Sequence, residues 1–277
     1  MESEQNMLFD GDALRCESGG GRGSLHEAAA LRSHQLLGVP VTDASMQEAV
    51  ALMSAWVTAR RPTRAAFIVN AHTLNLACVD PDYHRVLNGA DVVFGDGTGV
   101  RFAARRYGVR LKDNLVGTDL VPALMRAHLA ERWRYFLLGG TAGTVVRAAA
   151  RIQLAIPGLC IAGHHDGYIA GREPEVIQII NRSRADVLLV AMGNPLQERW
   201  IEAHRARLRV PLCVGVGGLF DHWAGNLRRA PRWMRRVGAE WTQILMQQPH
   251  KWRRYVIGNP VFIWRVLRDD ARHSAAA

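Results

Sequence analysis

The chain has 277 residues, 48% of them hydrophobic and 22% charged, a balance that argues against wholesale disorder and against an integral membrane bundle. No run approaches the roughly 18 to 20 uninterrupted apolar residues of a spanning helix, and no basic-then-apolar start marks a signal peptide, so neither signal peptide nor transmembrane anchor is expected. A formal net charge of +10 and a pI near 10.3 imply an anionic partner: nucleic acid, an acidic lipid surface or a phosphorylated substrate.

Residues 1–35 carry mixed charges and the run Gly19-Gly20-Gly21-Arg22-Gly23-Ser24, with too few regularly spaced apolar residues for a core, and read as a mobile leader. From Leu36 short β-rich runs alternate with longer helical patterns over 36–226, which predicts an α/β fold: a Rossmann-like, largely parallel sheet flanked by helices. Strands are expected at 65–69, 91–94, 135–138, 159–162, 187–191 and 212–216. Helices are expected at 45–59, 74–87, 99–107, 120–131, 142–155, 174–183 and 196–208. Ligands of such sheets bind at the carboxyl ends of the strands, so the turns there are the candidates for chemistry.

The first of these turns, Asn70-Ala71-His72-Thr73-Leu74-Asn75, offers amide, imidazole and hydroxyl groups, although Thr73 or Asn75 also suits a helix cap. The second, Gly95-Asp96-Gly97-Thr98-Gly99, flanks a carboxylate with glycines that let a ligand approach the backbone. An ionised aspartate there can take a proton from an attacking hydroxyl, or simply cap the next helix. Leu138-Gly139-Gly140-Thr141 joins strand to helix as phosphate-binding loops do, without the full dinucleotide fingerprint or the lysine of a P-loop. Met192-Gly193-Asn194-Pro195-Leu196-Gln197-Glu198 places Gln197 near the same rim. His164-His165-Asp166 and Asp221-His222 lack zinc-site spacing, no Gly-x-Ser-x-Gly elbow occurs, and the four separated cysteines suit reduced thiols in a cytoplasm, so no metal or cofactor is expected.

Residues 227–277 form a basic, aromatic, helical appendage. Arginines and lysine, among them Arg228, Arg229, Arg235, Arg236, Lys251, Arg254 and Arg265, face only Glu240, Asp269 and Asp270, with Trp233, Trp241, Trp252 and Trp264 interleaved. That pattern suits an amphipathic segment in an anionic membrane interface. It also suits a solvated helical cap, and no nucleic-acid motif accompanies it, so no nucleic acid is expected as partner.

In order and spacing, eight strings resemble the WecG/TagA/CpsF family of bacterial glycosyltransferases: VNAHTLN, ADVVFGDGTGV, NLVGTDL, FLLGG, PGLCIAGHHDGY, AMGNPLQERWI, VGVGGLFDHWAG and RAPRWMRRVGAEW. The resemblance implies inverting, metal-independent transfer of a hexose or N-acetylhexosamine from a UDP-sugar to an undecaprenyl-diphosphate-linked sugar, by an enzyme peripheral on the cytoplasmic face of the membrane. It implies Asp96 as base and Asn70 and Gln197 as pocket residues, and it matches Arg229, Arg235 and Arg236 to arginines that close over the diphosphate. His72, Thr73, Gly97, Asn114, Gly139, Gly140 and Asn194 complete the substrate-binding candidates. Three positions depart from the family pattern: Ile68 where threonine is frequent, Asn114 where arginine is frequent, and His72 where an acidic residue is common. A homo-oligomer is left open. The readings from other classes are a nucleotide-sugar or polyanion-binding module with a structural Asp96, and, from fold alone, an NAD-dependent oxidoreductase.

Overall fold

The computed structural model describes residues 31–231, 234 and 240–276. Residues 1–30 of the expected leader, and Arg235 and Arg236, lie outside the described residues. Eight strands form one sheet: β1 (Ser33–Leu36), β2 (Val39–Thr42), β3 (Arg64–Val69), β4 (Val92–Gly95), β5 (Arg134–Gly139), β6 (Cys160–His165), β7 (Val187–Ala191) and β8 (Leu212–Gly215). Their order is β1-β2-β4-β3-β8-β7-β5-β6, and every pairing except β1 with β2 is parallel. The expected α/β class and all six expected strands are present.

The β1–β2 hairpin was not among the expected elements. Its two-residue turn is Leu37-Gly38, with φ of 52° and 76°, the doubly positive conformation a tight hairpin requires. Such turns are signalled in sequence by Asn-Gly or Asp-Gly, and leucine in the first position conceals this one. β1 also begins inside the segment read as leader.

The helices are α1 (Met46–Ala59), α2 (Ala71–Ala77), α3 (Pro81–Asn88), α4 (Gly97–Arg106), α5 (Gly117–Ala127), α6 (Ala142–Ala155), α7 (Glu173–Ser183), α8 (Leu196–His204), α9 (Leu219–Trp223), α10 (Glu240–Gln247) and α11 (Gly258–Ala276). Local chemistry sets their starts. Ser45 and Glu48 form a reciprocal capping box on α1. The helix expected over 74–87 is two helices, because Asp80 caps Tyr83 N–H at 2.9 Å and Pro81 takes the first position of a new helix.

Period-two alternation divides each central strand between two cores. Phe67, Val69, Leu138 and Val190 face α2, α3, α4, α7 and α8, with Phe262 and Val266 of α11 in the same layer. Ala66, Ile68, Leu137 and Leu189 face the layer of α1, α5, α6 and α9, which holds Phe220 and Trp223. Because both faces are covered, the strands read as continuous apolar runs. Among the described residues, no helix is long and apolar enough to cross a membrane.

Gly139 shows how tightly the carboxyl ends of β5 and β7 approach. Its φ is +141°, and a methyl group there would lie 2.3 Å from the Ala191 carbonyl oxygen. Gly139→Ala is therefore expected to destabilise the protein by about 2 to 3 kcal/mol, read as a lower urea midpoint with an unchanged slope.

Candidate active site

The site grows from the ends of β3 and β4. Asp96 N–H donates to Val69 O at 2.8 Å, and Leu115 N–H donates to Gly95 O at 3.1 Å, which pins the two strand ends and the α5 approach together. Asp96 takes the N-cap position of α4 in extended conformation, yet its side chain makes no capping hydrogen bond. Gly97, at φ +88°, gives its N–H instead to Asn114 Oδ1 at 2.7 Å. Asn114 thus braces the turn that carries Asp96.

The Asp96 carboxylate stands where two cavities meet. One, of about 370 Å³, is lined by Asn70, His72, Thr98, Phe102, Tyr255 and Phe262. The other, of about 190 Å³, is lined by the α5 N-terminus at Gly117 and Thr118, the turn after β8 at Gly218, and the cations Arg228, Arg229 and Lys251. Arg254 and Tyr255 line both. A third space of about 420 Å³ continues from the second past His222, Arg228 and Arg229 towards Arg151.

The electrostatics are those of crowded positive charge. His72 is depressed to a pKa of about 4 by burial, with Arg254 and Lys251 adding to the effect. Lys251 is lowered by burial and by Arg254, with Asp221 opposing. His222 is lowered first by burial and next by Arg229. Burial raises the Tyr255 phenol; Arg254 opposes that shift and Asp96 reinforces it. Arg229 is neutralised by a two-point pair, its Nη1 and Nη2 lying 2.7 and 2.6 Å from the Asp119 carboxylate. Cations held this close favour an anion between them and the helix N-terminus.

The sequence candidates divide into two sets. Asp96, Asn70, His72, Gly97 and Arg229 come together around the cavities. Asn70 also caps α2, accepting from His72 N–H at 3.0 Å and Thr73 N–H at 3.2 Å, while Arg254 Nη2 reaches its Oδ1 at 3.4 Å. Thr73 is fully buried beneath that cap. Gly139 and Gly140 lie apart: Gly140 N–H donates to Ala191 O at 3.1 Å and its carbonyl accepts from Gly167 N–H at 2.9 Å, so these glycines serve a chain crossing. Asn194 and Gln197 both donate to Glu198 Oε1, at 2.5 and 2.7 Å, and Gln197 Oε1 accepts from Gly217 N–H at 2.9 Å. Gln197 and Glu198 are at most 1% exposed, and they support the turn after β8 from within. Ile68 packs into the core, its Cδ1 within 3.4 Å of where a Gly117 side chain would begin.

Sequence reasoning missed Arg254, Lys251, Tyr255 and His222 as site residues. The first two entered only as tail charge. Their spacing along a helical turn was a signal, but which way that turn faces is a tertiary fact.

The crevice thus sets a carboxylate, at a strand end of a parallel sheet, between an aromatic cavity and a cationic one. The model of the "Glycosyl transferase WecG/TagA/CpsF family" matches residues 34–276, and the chain belongs to that family. It is 32% identical over 202 residues to the N-acetylglucosaminyldiphosphoundecaprenol N-acetyl-beta-D-mannosaminyltransferase of Bacillus subtilis (strain 168), covering 73% of this chain and 78% of the relative. The identically named protein of Bacillus spizizenii is 33% identical over 209 residues, 75% and 80% of the two chains. That of Staphylococcus aureus (strain MW2) is 30% identical over 239 residues, 84% and 91% of the two.

Because the folded value for His72 lies below the ordinary 6.5, its contribution to stability is complete above pH 6.5 and is lost as the pH falls towards 4. An NMR titration is expected to place the His72 midpoint near pH 4, and Arg254→Ala should move it up; a midpoint at 6.5 in the unsubstituted protein would refute the burial of His72, and an unmoved midpoint in Arg254→Ala would refute the cationic contribution.

Proposed function

We propose that the protein transfers a hexose or N-acetylhexosamine from a UDP-sugar to an undecaprenyl-diphosphate-linked sugar, with inversion at the anomeric carbon and without a metal ion. The observation that carries this reading is the Asp96 carboxylate at the junction of an aromatic cavity and a cation-crowded one. The relatives' names, which specify a sugar on diphosphoundecaprenol as acceptor, support the acceptor class.

In this mechanism an acceptor hydroxyl loses its proton to Asp96 as its oxygen attacks the anomeric carbon. The bond from that carbon to the diphosphate oxygen breaks on the opposite face, and its electron pair leaves on UDP. Arg228, Lys251, Arg254 and the α5 N-terminus stabilise the charge that develops there, work that a bound cation does elsewhere. Tyr255 and Phe102 supply apolar surface for a sugar ring in the adjoining cavity.

The α/β domain of 36–226 carries Asp96, while the appendage of 227–277 both brings Arg228, Lys251, Arg254 and Tyr255 to the crevice and holds the enzyme against the cytoplasmic face of an anionic membrane. The outer surface of the appendage supports this. Trp264 is 56% exposed beside exposed Ile263 and Leu267, Trp252 and Ile257 precede them, and Arg268 and Arg253 lie over the Trp264 and Trp252 rings. Aromatic side chains with arginines alongside match the headgroup layer of a bilayer.

The test is acceptor-dependent UDP release from a panel of UDP-sugars in EDTA, with mass spectrometry of the lipid product. Asp96→Asn is expected to keep donor binding and lose about 10² to 10⁴ in kcat; near-normal turnover would remove Asp96 from the chemistry, and binding with no UDP release by the unsubstituted protein would make it a binding module.

Replacing Trp264 and Leu267, which are exposed and line neither cavity beside Asp96, by serine is expected to release the protein from anionic vesicles while sparing turnover of short-chain, water-soluble acceptors. Undiminished sedimentation with vesicles would put the membrane contact elsewhere.

A further inference from the structure

We propose that Asn75 is a positioning residue, which clips the front of the C-terminal helix to α2 and thereby holds Arg254 beside Asp96. This rests on the reading of Asp96 and Arg254 given above. Asn75 lies one turn beyond the Asn70 cap and lines neither cavity next to Asp96. Its side chain works in two directions. Nδ2 donates to Gly258 O at 2.7 Å, and Oδ1, together with the Asn75 backbone carbonyl, accepts from Arg265 Nη1 at 2.9 and 2.7 Å.

Gly258 is the joint that matters. Residues Arg253–Ile257 form a π-type turn, wider than an α-helix, and Gly258 N–H closes it onto the Arg253 carbonyl. Arg254 and Tyr255 project from this turn into both cavities, and Arg254 Nη2 reaches Asn70 Oδ1 at 3.4 Å. π-type turns are poorer in hydrogen-bond geometry than α-helix and persist where surroundings hold them. Asn75 supplies that hold on one side of Gly258, while the turn hangs from the other.

The rest of α11 is secured without the Asn75 side chain, since Arg265 keeps its bond to the Asn75 backbone carbonyl. Phe262 and Val266 are buried against the sheet layer, Tyr107 Oη donates to Asp269 Oδ2 at 2.7 Å, and Arg106 pairs with Asp270 at 2.6 Å. Loss of the Asn75 side chain should therefore loosen the front of the helix and leave its remainder docked. Asn75→Asp separates the two halves of the clip: the carboxylate still accepts from Arg265, but it cannot donate to Gly258 O and opposes it with negative charge.

The experiment measures both variants as the full chain, by steady-state UDP release with a UDP-sugar and a lipid-diphosphate sugar, by hydrogen exchange and by thermal midpoint. Both are expected to lose about tenfold in kcat, the effect of one lost hydrogen bond on the placement of a charged group, with donor KM changing less. Exchange of the 253–258 amides should accelerate while exchange in the sheet and the thermal midpoint stay near those of the unsubstituted protein. Unchanged kcat in Asn75→Ala, or full kcat in Asn75→Asp, would overturn the proposal. So would a lowered midpoint with unchanged exchange at 253–258, which marks a merely structural asparagine. Absence of acceptor-dependent UDP release from the unsubstituted protein would sink the transferase reading instead, and the exchange measurement would still decide the clip.

Discussion

The hydrogen bond from Asp96 N–H to Val69 O is a short link on which the rest of the site depends. It holds the last residues of β3 and β4 side by side, so that the Asn70 and Asp96 turns open into one crevice. The parallel register behind it, from Ala66 opposite Val92 to Val69 opposite Gly95, transmits that alignment through a core with no exposed strand face. Glycine on both sides of Asp96 and the Asn114 carbonyl on Gly97 N–H then complete the turn without using the carboxylate as a cap. Asp96 itself borders both cavities.

Opposite charge balances that carboxylate unevenly. Asp119 is committed to Arg229, while burial lowers the pKa of Lys251, His72 and His222, with Arg254 adding to the first two and Arg229 to the third. Positive charge gathered in this way favours an anion at the place where the proposed transfer develops charge on its leaving group.

The C-terminal helix completes the site from within the same chain. Its inward face buries Phe262 and Val266, the π-type turn that leads into it brings Arg254 and Tyr255 to the crevice, and its outward face exposes Trp264 and Leu267. One element therefore joins the chemistry to the surface proposed for a lipid.

Much of this was legible in the amino-acid order alone. The six main strands, the α/β class and the Asp96 turn follow from apolar runs bounded by glycine and polar residues, because period and turn chemistry are local properties. The sequence alone determined that Asp96 ends a strand, that 227–277 are basic and aromatic, and which family the motifs resemble. Only the tertiary structure decided that Gln197 and Asn194 turn inward onto Glu198, that Gly139 and Gly140 serve a chain crossing, and that Lys251 and Arg254 return across the sheet to Asp96. The physical reason is range: a side chain's choice between core and cavity depends on which distant elements cover it, and residues 254 and 96 meet only after a helix has folded back on the sheet.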